Sequence, residues 1–134
     1  MKTDTPAEGS QRLQAMLGQA RCLQARQDYD GAVKTLDTVI NESTPSDSRL
    51  QAEAYLRQGD CYLAMNANPK EAIMAYLHVD VIPAMSRESD LHAEALYQLS
   101  QLWKQVNQPD RAREAAEALQ AEYGSSQWAK KLGG

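Results

Sequence analysis

Three short segments decide how this chain folds: Asp28-Tyr29-Asp30-Gly31-Ala32-Val33, Asn68-Pro69-Lys70-Glu71-Ala72-Ile73 and Gln108-Pro109-Asp110-Arg111-Ala112-Arg113. Their alanines, Ala32, Ala72 and Ala112, are 40 residues apart each time, and each segment follows a polar turn and opens an apolar, helix-spaced run. Pro69 and Pro109 suit the first helical position, where a missing N–H costs nothing. Asn68 can accept from the free amides of the first turn, and Glu71 completes a capping box. A helix therefore begins at each alanine segment.

Upstream of every such start lies another stretch with apolar residues three and four apart. These are Leu13, Met16, Leu17, Ala20 and Leu23, then Ala52, Tyr55, Leu56, Gly59, Tyr62 and Leu63, then Leu96, Leu99, Trp103 and Val106. That spacing lines one face of an α-helix. Thr5-Pro6-Ala7-Glu8 and Ser48-Arg49-Leu50-Gln51 read as capping boxes that start the first two of these helices. The prediction is six helices over about 6–26, 29–42, 49–66, 69–84, 90–106 and 109–123, with a tail helix over 126–132. Paired, they make three hairpins, 6–42, 49–84 and 90–123, in one domain spanning 1–134. The polar breaks 41–48 and 86–90 are too short for interdomain linkers. Hairpins of this length bury both faces only by stacking, so one continuous interior is expected.

A chain of 134 residues fits one domain. Alanine, leucine and glutamine abound while phenylalanine is absent, which favours helix over strand. Fourteen bases against eighteen acids give a net charge of -4, and the only adjacent basic pair is Lys130-Lys131, so nucleic acid is not an expected ligand. No apolar run is long enough to cross a bilayer, and the first residues lack the apolar core of a signal peptide. No membrane insertion is expected and the chain reads as soluble, but a fragment cut from a longer exported protein would look the same, so the absent signal does not establish a cytoplasmic location.

These residues resemble the tetratricopeptide (TPR) repeat family, whose pattern runs W-x2-L-G-x2-Y, then alanine, then an apolar residue, then proline. The second hairpin is closest, with Tyr55-Leu56-Arg57-Gln58-Gly59-Asp60-Cys61-Tyr62 followed by Ala72, Tyr76 and Val79. The same places hold Met16, Ala20, Leu23, Ala32, Leu36 and Val39 in the first hairpin. In the third they hold Leu96, Leu99, Ser100, Trp103, Ala112, Ala116 and Leu119. Small residues recur at Ala20, Gly59 and Ser100, where the two helices of a pair must approach closely. The 40-residue period, the extra residue in the turn 66–68 and the displaced prolines, Pro45 and Pro83, are departures. They are more similar to divergent bacterial repeats of cell-envelope proteins, such as the C-terminal domain of the Tol-Pal coordinator and outer-membrane assembly lipoproteins. That resemblance leans towards the bacterial envelope or periplasm.

The resemblance implies an all-α, right-handed α-solenoid of about three helical hairpins closed by a short C-terminal capping helix. It also implies a non-catalytic scaffold that holds a peptide or helix of another protein in a groove lined by the first helix of each hairpin. The groove residues would be Gln14, Leu17, Arg21 and Gln24, then Glu53, Leu56, Asp60 and Leu63, then Glu94, Tyr97, Gln101 and Lys104. Chaperone-type members grip a terminal carboxylate with lysines and asparagines, but the matching places here hold Gln14, Leu17, Gly18 and Arg21, so that activity is not carried over. The alternative is a self-assembling module, a homo-oligomer pairing through solenoid ends at Trp128 and Leu132.

No catalytic residues, cofactor or metal site are expected. Cys22 and Cys61 occupy equivalent places, matched by Leu102 in the third hairpin, and read as core residues. His78 and His92 lack a ligand motif and read as surface residues. Trp128 reads as a cap over the open end of the stack.

Overall fold

The computed structural model describes residues 6–65 and 69–133. All of the regular structure among them is helical: α1 (Pro6–Ala25), α2 (Tyr29–Glu42), a 3-10 turn (Pro45–Asp47), α3 (Ser48–Ala64), α4 (Pro69–Val81), α5 (Pro83–Ser86), α6 (Ser89–Gln105), α7 (Pro109–Tyr123) and α8 (Gln127–Gly133). Packing is heaviest along chain order, α1 on α2, α2 on α3, α3 on α4, α4 on α6 and α6 on α7. This is an all-helical repeat solenoid of stacked hairpins, α1/α2, α3/α4 and α6/α7.

The forty-residue alanines hold equivalent places. Each is the fourth residue of its helix, α2, α4 and α7. Ala32 and Ala72 are fully buried and Ala112 nearly so. The turns repeat as well. At Gln27 and Asn107 the backbone is left-handed, with φ of 65° and 63°. In each turn the following amide closes back five residues, Asp28 to Leu23 and Gln108 to Trp103, both at 2.8 Å, which ends the first helix by a Schellman motif. Asp28 then caps α2 through its carboxylate, which accepts from the Gly31 amide at 3.1 Å. The turn 66–68, the Asn68 cap and the Thr5 cap lie outside the described residues.

Several sequence expectations are corrected. The helix foreseen to 84 stops at Val81, because Pro83 forces Ile82 into an extended conformation (φ -87°, ψ 115°) and α5 starts afresh. Met85 of α5 then plugs the core at 4% exposure. Ser48 is the first residue of α3 rather than its cap. The capping box lies one step earlier, where Thr44 and Asp47 bond reciprocally around the 3-10 turn. Gln51 instead donates to Ser43 Oγ at 2.7 Å.

The interior is not one continuous cluster. Leu13, Leu17, Ala20, Leu36, Val39, Leu50 and Ala54 form one core, while a larger one runs from Ala52 and Leu56 through α4, α6 and α7 to Ala129. The two meet back to back on α3, with Leu50 and Ala54 turned to one and Ala52 and Leu56 to the other.

Cys61 and Leu102 are buried, whereas the equivalent Cys22 is exposed. The reason is positional. On α3 and α6 that side of the helix receives the preceding hairpin, and α1 packs on no preceding helix among the described residues. His92 is also not a surface residue. It is 7% exposed and clamped between α4 and α7, Nε2 2.7 Å from Asp80 Oδ1 and Nδ1 2.7 Å from the Tyr123 hydroxyl. His78 is half-buried, stacked on Tyr55 with ring centroids 4.1 Å apart.

Candidate functional site

The first helices α1, α3 and α6 carry the twelve groove residues, and they bring some of them together. At the first junction Arg21 of α1 pairs with Glu53 of α3. Gln14, Leu17, Arg21 and Glu53 line a cleft between these helices, closed at one end by Asp47 and Arg49. Leu17 forms the floor, 4% exposed and rooted in the smaller core. Gln24 is half-buried near the end of α1.

The second junction is built differently. The places of Arg21 and Glu53 are taken, one repeat on, by Asp60 and Glu94, two carboxylates instead of an ion pair. Arg57 lies between them. Its Nη1 donates to Asp60 Oδ2 at 2.8 Å, and its Nη2 reaches both oxygens of Glu94 at 2.9 and 3.0 Å. Tyr76 of α4 adds a hydrogen bond from its hydroxyl to Asp60 Oδ1 at 2.6 Å. One guanidinium cannot offset two carboxylates removed from water. Burial accordingly lifts the pKa of Asp60 above the ordinary carboxylate range, against the pull of Arg57 and Tyr76. Burial lifts that of Glu94 too, assisted by the charge of Asp60 and opposed by Arg57. The Nε of Arg57 is buried with no hydrogen-bond partner. At the mouth of the same junction Arg49 ties α3 to Glu88 at 3.0 Å and to Asp90 at 2.7 and 3.0 Å.

At the third position the face is covered by the chain's own α8. Trp128 packs on Tyr97 with centroids 5.5 Å apart, and Lys131 Nζ sits 4.4 Å from the Trp128 ring and 5.8 Å from that of Tyr97. Gln101 donates to Ser100 Oγ at 3.2 Å, and Lys104 is exposed at a cleft it lines together with Leu132 of α8. Leu56 is fully buried in the larger core, so its side chain is part of the interior and not of the face; Leu63 is half-buried against that core. The expected groove is therefore crossed by arginine at both junctions, by the more exposed Arg21–Glu53 pair between α1 and α3 and by the more buried Arg57 between α3 and α6, and it is roofed at its far end.

Sequence reasoning missed Arg49 and Arg57, the two residues that close the second junction. Arg57 carries a legible signal in its i,i+3 spacing to Asp60. The 39-, 41- and 37-residue contacts to Glu88, Asp90 and Glu94 are set only by stacking. Among the described residues no group of three or more histidine, cysteine, aspartate or glutamate side chains converges in a metal-binding arrangement. No described helix is long and apolar enough to cross a membrane.

The chain's first two hairpins match a known family. Residues 14–43 and 53–79 fit the model described as tetratricopeptide repeat. No curated protein and no solved structure matches the chain.

Proposed function

We propose that this chain, of the tetratricopeptide-repeat type, is a non-catalytic interaction scaffold that receives an extended or helical segment of a partner protein in the cleft between α1 and α3. Repeats of this type generally serve protein–protein interaction. The observation that carries the narrower reading is the contrast between junctions. The cleft of Gln14, Leu17, Arg21 and Glu53 has an apolar floor and polar walls, the composition that orients a bound segment while burying its side chains. Its one bridge, Arg21–Glu53, is more exposed than the Arg57 bridge of the neighbouring junction, and the third position is covered by α8.

A photo-crosslinking amino acid in place of Gln14, introduced in the native host, tests this reading. A discrete adduct should form from position 14, not from the exposed Lys34 of α2, and should vanish when Arg21→Glu is added while helicity is kept. An adduct indifferent to Arg21→Glu would remove the cleft as the binding site. Self-assembly through the ends is supported less well, because Trp128 is turned onto Tyr97 and Leu132 packs against the core. Light scattering over a range of concentrations distinguishes the two readings.

A further inference from the structure

The second helices α2, α4 and α7 occupy equivalent places on the other side of the stack, so their outward positions face equal structural demands. Those positions are Lys34, Asp37 and Asn41 on α2, all exposed, and Glu114, Glu117 and Ala121 on α7, all exposed. On α4, between them, the same positions are Met74, Leu77 and Val81. Met74 is 57% and Val81 64% exposed, and Leu77 is half-buried. Leu77 packs against the larger core, but folding does not require apolar groups at 74 and 81, since both flanking repeats place polar or small ones there. Exposed apolar groups that the architecture does not need, rimmed by charge, mark contact surfaces.

The stripe is also bordered by a cleft on each side. Met74 and His78 form one wall of a cleft floored by Tyr55 and Tyr62 of α3. Leu77 and Val81 form a wall of its counterpart, floored by Leu96 and Trp103 of α6. Tyr62 and Trp103 are repeat-equivalent, so an aromatic ring lies at the bottom of each.

We infer that the outer face of α4 is a second docking surface, separate from the first-helix face, and that its occupant is a single amphipathic helix of another protein. The size of the patch argues for that occupant. A stable dimer of folded subunits needs about 800 Å² from each partner, some 20–30 residues a side. Met74 to Val81 offers about two turns, roughly 10 Å of helix, with charged residues beginning on both neighbouring helices. One helix laid along the stripe covers it and sends side chains into both clefts. A second copy would bring the charged flanks of α2 and α7 together around too small an apolar centre.

The test uses Met74→Lys with Val81→Asn, residues that α2 itself carries at these positions, so the fold should tolerate them. The probe is a synthetic amphipathic leucine–lysine helix of about five turns. Amide and indole shifts in the full chain should move along α4 and at Trp103, with at least a tenfold loss of affinity in the double variant and an unchanged urea midpoint. If the double variant does not fold, the map of shifts on the unaltered chain decides. Shifts confined to α1, α3 and α6, or no shifts at millimolar peptide, would overturn the inference. So would a wild-type dimer abolished by the substitutions, which assigns the face to a second copy. Binding to vesicles of phosphatidylcholine and phosphatidylglycerol through the same residues would likewise assign it to lipid.

Discussion

Replacing Gly59 by alanine tests the close packing of the second hairpin. A Cβ at position 59 would lie 2.5 Å from Tyr76 Cζ and 2.6 Å from its Cε1, well inside van der Waals contact. The ring cannot simply give way. It is fully buried, and its hydroxyl is anchored to Asp60 at 2.6 Å. Overpacking of this kind costs about 1–3 kcal/mol. If the ring moves, the hydrogen bond to a carboxylate is lost, at about 1.5–3 kcal/mol. Alanine returns roughly 1 kcal/mol of helix propensity. The net expectation is a loss of about 2–4 kcal/mol, which for a chain of this length lowers the melting temperature by roughly 7–14 °C. Urea titration followed by far-UV circular dichroism measures it. Combining Gly59→Ala with Tyr76→Leu, which removes the ring atoms that clash, should recover part of the loss, giving a coupling of at least about 1 kcal/mol. A Gly59→Ala chain as stable as the parent, or strictly additive variants, would refute the reasoning. The other hairpins supply the comparison: Ala20 stands with Leu36 at the equivalent places and Ser100 with Ala116, so the largest partner, Tyr76, occurs with glycine.

Other measurements check separate parts of the structure. Asp60 and Glu94 have folded pKa values above their ordinary 3.8 and 4.5, so the folded chain binds protons more tightly than the unfolded one; their cost is absent below those ordinary values and grows as pH rises through the folded values. As pH rises above those ordinary values, stability of the parent should therefore fall relative to Glu94→Gln, and parallel urea-midpoint curves would contradict the burial of these carboxylates. A thiol reagent should modify Cys22 at once, while Cys61, buried and with its thiol pushed up to about 11, reacts only on unfolding; two equally fast thiols would contradict the placement of α3. Gln27→Gly should stabilise by up to about 1 kcal/mol in the same urea titration by relieving a left-handed non-glycine residue, and a loss would mean the turn is not a Schellman cap.

Much of this protein is determined by its sequence alone. The hairpins, their register and the small residue opposite Tyr76 follow from helix periodicity, prolines at helix starts and the alanine every forty residues, all of which act within one or two turns of helix. Boundaries failed only where a local signal was misread, as when Pro83 ended α4 and Thr44 rather than Ser48 supplied the cap. Face-by-face exposure was decided by tertiary structure. Cys22 and Cys61 share a place in the repeat, yet only Cys61 has a preceding hairpin packed over it. His92 looked like a surface residue until Asp80 and Tyr123 closed on it from two other helices. Leu56 looked like groove and is interior, and the junction between α3 and α6 is held by Arg49 and Arg57, whose partners are 37 to 41 residues away. Helix formation reads neighbours along the chain, whereas burial and charge pairing depend on which surfaces stacking brings together, and a repeat leaves the residues at those surfaces free to differ from one hairpin to the next.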